Sequence, residues 1–158
     1  MVEPYSEEEI SEFDAIEEQL MDRRVPFGRM MKMYAEFLSR SIGTGRFDQA
    51  IPLSQLNFIA KQLQDAVVSF DARDGDELRR PGKLALWALS NHSEKENPAL
   101  AALSRCAVCC FYEDTDWNPD ENESPTPLPF YLFLLKRLAP EMGMEFLKYA
   151  RKYLLDPP

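Results

Sequence analysis

Apolar residues recur three and four positions apart along most of the chain, and no stretch alternates convincingly between apolar and polar residues. This spacing constrains the fold more than any other feature, because it is typical of helices with one buried face. Prolines, glycines and capping residues divide the pattern into about seven segments. The sequence therefore predicts an all-α fold, an irregular bundle of about seven helices with no convincing strands.

Local signals mark where these helices begin. Ser6 and Glu9 match a capping box, so the first helix is predicted over 6–22. A glycine-rich turn after Ile42 ends the second helix. The later helices are predicted to begin at or beside residues that favour a first turn or directly follow a loop: Pro26, Ser54, Pro81, Asn97 with Pro98, Phe130 and Pro140.

Two apolar segments, 100–111 and 130–138, are predicted to form the central helices of the bundle. The segment 23–46 carries six bases and one acid, whereas the first helix is strongly acidic. We expect these two neighbouring helices to pair as an antiparallel hairpin that partly neutralises its own charge.

The chain has 158 residues, of which 45% are hydrophobic, and this suits a single helical domain over 1–158. Residues 113–129 contain six acids, four prolines and no base, so they are predicted to form a mobile loop. No apolar run approaches the ~20 residues of a membrane span, and the acidic first residues do not resemble a signal peptide. A cytoplasmic location without membrane association is therefore predicted.

The net charge of −9 is concentrated at the N-terminus. Residues 1–22 carry nine acids and no Lys or Arg, whereas the other residues carry 18 acids and 18 bases. Direct binding to nucleic acid is disfavoured, because phosphate contacts require clustered bases. An acidic surface instead attracts a protein partner with a basic face.

The cluster of Cys106, Cys109 and Cys110 is the first candidate for chemistry. Their spacing would place these thiols on one face of the predicted helix, but a zinc site requires four ligands, and the only histidine is His92. Three clustered cysteines do not form a disulfide framework either. Core packing is therefore the favoured interpretation, and no metal or other cofactor is predicted.

Other catalytic and metal-binding patterns fail at the positions that matter. The segment 114–125 resembles the start of a calcium-binding loop, but Pro119 replaces the required glycine and Pro125 the bidentate glutamate. Neither a nucleophile motif nor a phosphate-binding glycine loop is present. The chain is therefore predicted not to be an enzyme.

These features favour a small acidic protein-binding module, such as an antitoxin- or immunity-type inhibitor or an adaptor, that binds a basic partner. Its charges would steer the partner and its apolar surface would supply most of the affinity. The residues predicted to contact the partner are carboxylates of the first helix and of the acidic loop, with one methionine that falls off the main apolar stripe of the second helix: Glu7, Glu8, Glu12, Glu17, Glu18, Met33, Asp114, Asp116, Asp120 and Glu121.

Four alternatives remain open at this point. In the first, the chain is a metal- or redox-dependent protein that uses the cysteine cluster and His92. In the second, its carboxylates mimic a nucleic acid and occupy a DNA-binding partner. The third alternative, which is the least favoured, is that the basic 23–46 face binds nucleic acid directly. A homodimer formed through the methionine-rich second helix is as compatible with the sequence as a monomer is.

Overall fold

The computed structural model describes residues 5–112 and 126–155. These ranges contain seven helices and no strand, which confirms the predicted all-α irregular bundle. None of the helices described is long and apolar enough to cross a bilayer. The helices are α1 (Glu7–Asp22), α2 (Phe27–Gly43), α3 (Leu53–Ser69), α4 (Gly75–Ser93), α5 (Pro98–Val108), α6 (Leu128–Leu138) and α7 (Met142–Leu155).

The local capping signals formed as predicted. The Glu9 backbone N–H donates to Ser6 Oγ at 3.1 Å, and the Ser6 N–H donates to Glu9 Oε1 at 3.0 Å. At the start of α5, the Leu100 N–H donates to Asn97 Oδ1 at 3.1 Å. Each cap satisfies backbone donors that have no partner inside their own helix.

An aromatic cluster joins α2, α6 and α7 at the centre of the bundle. The rings of Tyr34 and Tyr131 are stacked, with centroids 4.4 Å apart and planes 7° apart. The Tyr131 hydroxyl donates to the Tyr34 carbonyl oxygen at 2.8 Å. Phe146 meets both rings edge-on, at centroid distances of 5.6 and 5.0 Å. Such arrangements add specific geometry to the burial of large apolar surfaces.

Helix α2 is buried around most of its circumference, because it contacts α3, α5 and α7. Helix α5 is also central, as predicted. Helix α6 is central on one side only, since it leaves Phe130 39% and Phe133 46% exposed. The predicted central position of 130–138 therefore holds for the inner side of this helix only.

Helix α4 begins at Gly75, six residues before the predicted start, so Pro81 lies inside the helix. Contacts with the end of α3 stabilise this additional first turn. Arg79 Nη1 donates to Ser69 Oγ at 3.1 Å, and its guanidinium lies 3.9 Å from the centroid of the Phe70 ring. Gly75 permits the close approach, because a Cβ added there would lie 2.1 Å from the Ser69 carbonyl oxygen.

The prediction that the first two helices pair as a charge-neutralising hairpin is wrong. Helix α1 packs on α7, and α2 packs mainly on α3. The inward-facing carboxylates of α1 pair with bases from distant parts of the chain, since Lys136 Nζ lies 2.8 Å from Glu9 Oε1 and Arg151 Nη2 lies 3.1 Å from Glu12 Oε2.

Helix α1 ends in a C-terminal cap whose left-handed residue is Arg24, with φ 50°. The Val25 N–H donates to the Leu20 carbonyl at 3.1 Å, and the Arg24 N–H donates to the Met21 carbonyl at 3.2 Å. Glycine is the usual residue at this position, because an L side chain costs about 1–2 kcal/mol in the left-handed region. The backbone at Arg24 is therefore strained.

We expect Arg24→Gly to raise the free energy of unfolding by about 0.5–1 kcal/mol, because the relieved strain exceeds the additional entropy that glycine has in the unfolded chain. Urea unfolding followed by circular dichroism measures this difference. Arg24→Ala is the matched control, since it removes the same charge but retains the Cβ and the strain. Equal stabilisation by both substitutions would assign the effect to the arginine side chain and contradict the backbone explanation.

The Glu9–Lys136 ion pair is largely buried, with side chains 12% and 14% exposed. Burial alone would raise the pKa of Glu9, but hydrogen bonds from Lys136 and from the Ser6 backbone, with the charge of Lys136, outweigh burial and lower the pKa. A carboxyl whose pKa is lower in the folded state stabilises the fold above its unfolded pKa of about 4.3. That contribution is lost as the pH falls through the folded pKa.

Glu9→Gln should therefore lower the free energy of unfolding by about 1–2 kcal/mol at neutral pH, because Lys136 loses its carboxylate while the amide still reaches the Ser6 N–H. The variant should also lose less stability than the wild type as the pH falls below about 4.3. Denaturant unfolding across this pH range tests both effects. Asp65→Asn is the control, since the Lys61–Asp65 pair is 70% and 61% exposed and its loss should cost less than about 0.5 kcal/mol. Equal effects of the two substitutions would contradict a special role for the buried pair.

Candidate functional site

The outer side of α1 presents carboxylates and two apolar side chains. Ile10 is 40% exposed and Met21 is 51% exposed. The helix contains no Lys or Arg, so no base on α1 neutralises these carboxylates. We call this surface the acidic face, and it consists of Glu7, Glu8, Ile10, Asp14, Glu18, Met21 and Asp22, all of them exposed.

Three of the five α1 glutamates predicted to contact a partner belong to the acidic face, namely Glu7, Glu8 and Glu18. The other two make contacts within the fold. Glu12 pairs with Arg151 of α7, and Glu17 accepts a hydrogen bond of 2.7 Å from Thr126 Oγ1. Their partners are more than a hundred residues away in the sequence, so local spacing gave no signal for these contacts.

Met33, which was predicted to face a partner, is only 1% exposed. That prediction is wrong, because contacts on several sides of α2 bury positions outside its main apolar stripe as well. The buried position of Met33 also removes it from any dimer contact through this helix.

The four carboxylates predicted in the acidic loop, Asp114, Asp116, Asp120 and Glu121, lie outside the described residues. The end of the predicted loop is helical instead. Helix α6 begins at Leu128, two residues before the predicted start, and the Leu128 N–H donates to Thr126 Oγ1 at 3.3 Å.

The cysteine cluster is part of the core. Helix α5 ends at Val108, and all three thiols are buried and free. Burial raises the pKa of Cys106 and Cys110 well above the ordinary value and that of Cys109 to about 12. Thiols in this state are poor nucleophiles, because the reactive form is the thiolate.

Metal binding by this cluster has no geometric support. His92, the histidine that the metal alternative requires, is exposed, whereas the thiols are buried. Among residues 5–112 and 126–155, no three His, Cys, Asp or Glu side chains are grouped so that they could hold a metal ion.

We expect the native protein to resist labelling by a thiol-reactive dye at mildly alkaline pH, because burial both shields the thiols and raises their pKa. Unfolding in urea should expose all three cysteines to the dye. Absorbance of the released dye anion measures both rates. Rapid labelling of a native cysteine would contradict the packing role and favour the redox alternative.

The sequence did not predict a groove that lies between α5, α6 and the end of α4. It encloses about 210 Å³, and its lining includes Phe130, Phe133, Arg105 and Arg137. Because residues 130–138 are almost all apolar, the sequence does not indicate which side of this helix is exposed. The available signal was the spacing of Phe130, Phe133 and Arg137, which lie at i, i+3 and i+7 on one helix side.

We call this surface the arginine–phenylalanine groove. Each of its two arginines lies beside an aromatic ring. The Arg105 guanidinium lies 4.6 Å from the centroid of the Trp87 ring, and that of Arg137 lies 5.9 Å from the Phe133 centroid. Neither arginine forms an ion pair with another residue of the described ranges. Glu94 also lines the groove, so its three charged side chains sum to one positive charge.

No protein-family model, no curated protein and no solved structure matches this chain.

Proposed function

We propose that this chain is a protein-binding module whose acidic face contacts a partner protein with a basic surface. The observation that carries the proposal is the composition of that face, in which exposed carboxylates surround two exposed apolar side chains on one rigid helix. None of its carboxylates forms an ion pair with another residue of the described ranges. Their charge is thus free to attract a partner.

The two kinds of side chain have different roles in this proposal. The carboxylates steer a basic protein towards the face and raise the association rate, an effect that salt weakens. Ile10 and Met21 supply apolar area that becomes buried in the complex. An apolar centre within a polar, solvent-accessible rim is the usual arrangement in protein interfaces.

An antitoxin- or immunity-type inhibitor or an adaptor acting in the cytoplasm fits this proposal. An inhibitor would use the acidic face to cover a basic functional surface of its target. An adaptor would require a further binding surface in addition to the acidic face.

Charge reversal on the later turns of α1 tests the proposal. We expect Asp14→Lys/Glu18→Lys/Asp22→Lys to weaken partner binding at least about tenfold, because attraction of the basic surface becomes repulsion. These positions avoid the first turn, where acids stabilise the helix dipole. The control is Asp48→Lys/Asp65→Lys/Glu96→Lys, which makes the same charge change at exposed acids that lie outside α1 and outside the first turn of every described helix.

The partner is first captured with the tagged wild type at about 50 mM and at about 500 mM salt, a range over which screening becomes strong. Its dissociation constant is then measured with purified proteins. A basic partner that binds the wild type and the control but not the α1 variant supports the proposal. Equal binding by both variants, or failure to capture any partner, contradicts it. Displacement of DNA from the captured partner would instead support nucleic-acid mimicry.

A further inference from the structure

We infer that the arginine–phenylalanine groove is a second docking surface, which binds a short segment of another protein that carries carboxylates beside apolar anchor residues. This inference uses none of the residues of the acidic face. It is independent of the proposed function and would supply the further surface that an adaptor requires.

The residues that line the groove extend along two helices, and this suits an elongated segment. Helix α6 contributes Phe130, Phe133 and Arg137, and α5 contributes a second series in which Ala101 lies between Pro98 and Arg105. Each series covers two helical turns, about 10 Å along its axis. The α5 side of the lining also includes the small side chains of Ala101 and Ala102. Grooves of this form bind the apolar side of a helical segment through anchors at i, i+3 or i+4, and i+7.

The apolar part of the groove provides sites for such anchors. Phe130 is 39% exposed and Phe133 is 46% exposed, and the two lie one turn apart on the same helix. Two adjacent phenylalanines on a rigid helix lose little entropy when a partner covers them. Their burial removes large apolar surfaces from water, as aromatic anchors commonly do at interface centres.

The charged part of the groove determines which sign of charge the bound segment carries. A guanidinium that lies against an aromatic ring keeps its N–H donors available for a carboxylate, and two such donors form a bidentate pair. Arg105 and Arg137 have no carboxylate partner among the described residues. Glu94 repels carboxylates near its own position, so the acidic residues of the segment should lie beside the arginines.

Selection from a phage library of random peptides of about 16 residues, long enough to cover both series, identifies the chemistry that the groove accepts. We expect the wild type to enrich peptides that combine Asp or Glu with aromatic or aliphatic anchors. A synthetic peptide of the enriched sequence should lose at least about tenfold in affinity for Phe133→Ser and for Arg137→Glu. Leu84→Ser and Lys152→Glu are the matched controls, since both change exposed residues outside the groove.

Charge exchange tests the pairing itself. A peptide with Lys in place of its acids should bind Arg105→Glu/Arg137→Glu more tightly than it binds the wild type. Circular dichroism and thermal unfolding first establish that each variant is folded. Fluorescence anisotropy then gives the affinities.

Three results would overturn the inference: no enriched peptide, enrichment of basic or uncharged peptides, or unchanged affinity in the groove variants. Self-association of the wild type that Phe133→Ser abolishes would identify a second copy as the occupant and would also overturn it. The Asp14→Lys/Glu18→Lys/Asp22→Lys variant should bind the peptide as the wild type does. Failure of this inference is therefore distinguishable from failure of the proposed function.

Discussion

The stacked rings of Tyr34 and Tyr131, closed at their edges by Phe146, are the contact on which the rest of the structure depends. They fix α6 and α7 against the central helix α2. Once Tyr131 faces α2, helical geometry places residues 130, 133 and 137 on other sides of α6. The aromatic cluster therefore determines which phenylalanines of α6 reach the surface and where the groove forms.

The same cluster positions α1 indirectly. Lys136 on α6 and Arg151 on α7 hold the inward-facing carboxylates Glu9 and Glu12. Because successive helix residues are about 100° apart, the same helix directs other acids such as Asp14 and Glu18 outward. The acidic composition of α1 thus has two separate consequences, attachment of the helix to the fold and a negative outer surface. Only the outer carboxylates remain available to a partner.

The sequence predicted what local interactions determine and missed what tertiary contacts determine. The capping box of Ser6 and Glu9 and the cap at Asn97 involve neighbouring residues, so spacing alone located them. The additional first turn of α4 depends on contacts of Arg79 with α3. Burial of Met33 depends on how many helices surround α2. The periodicity of one helix carries no information about the number of its neighbours. The acidic face was partly predicted, because exposed acids follow from composition, whereas the groove required the packing of α5 against α6.

Helix α6 shows why both surfaces are pre-formed. Its neighbouring residues Lys136 and Arg137 point in different directions, so one neutralises Glu9 inside the fold and the other flanks the groove. The aromatic core fixes the helix that carries them, and little ordering of backbone is required when a partner binds. A substitution that loosens Tyr131 would therefore affect α1 attachment and groove shape together. Substitutions at outward residues such as Phe133 act on one surface only, which is what separates binding from stability in this fold.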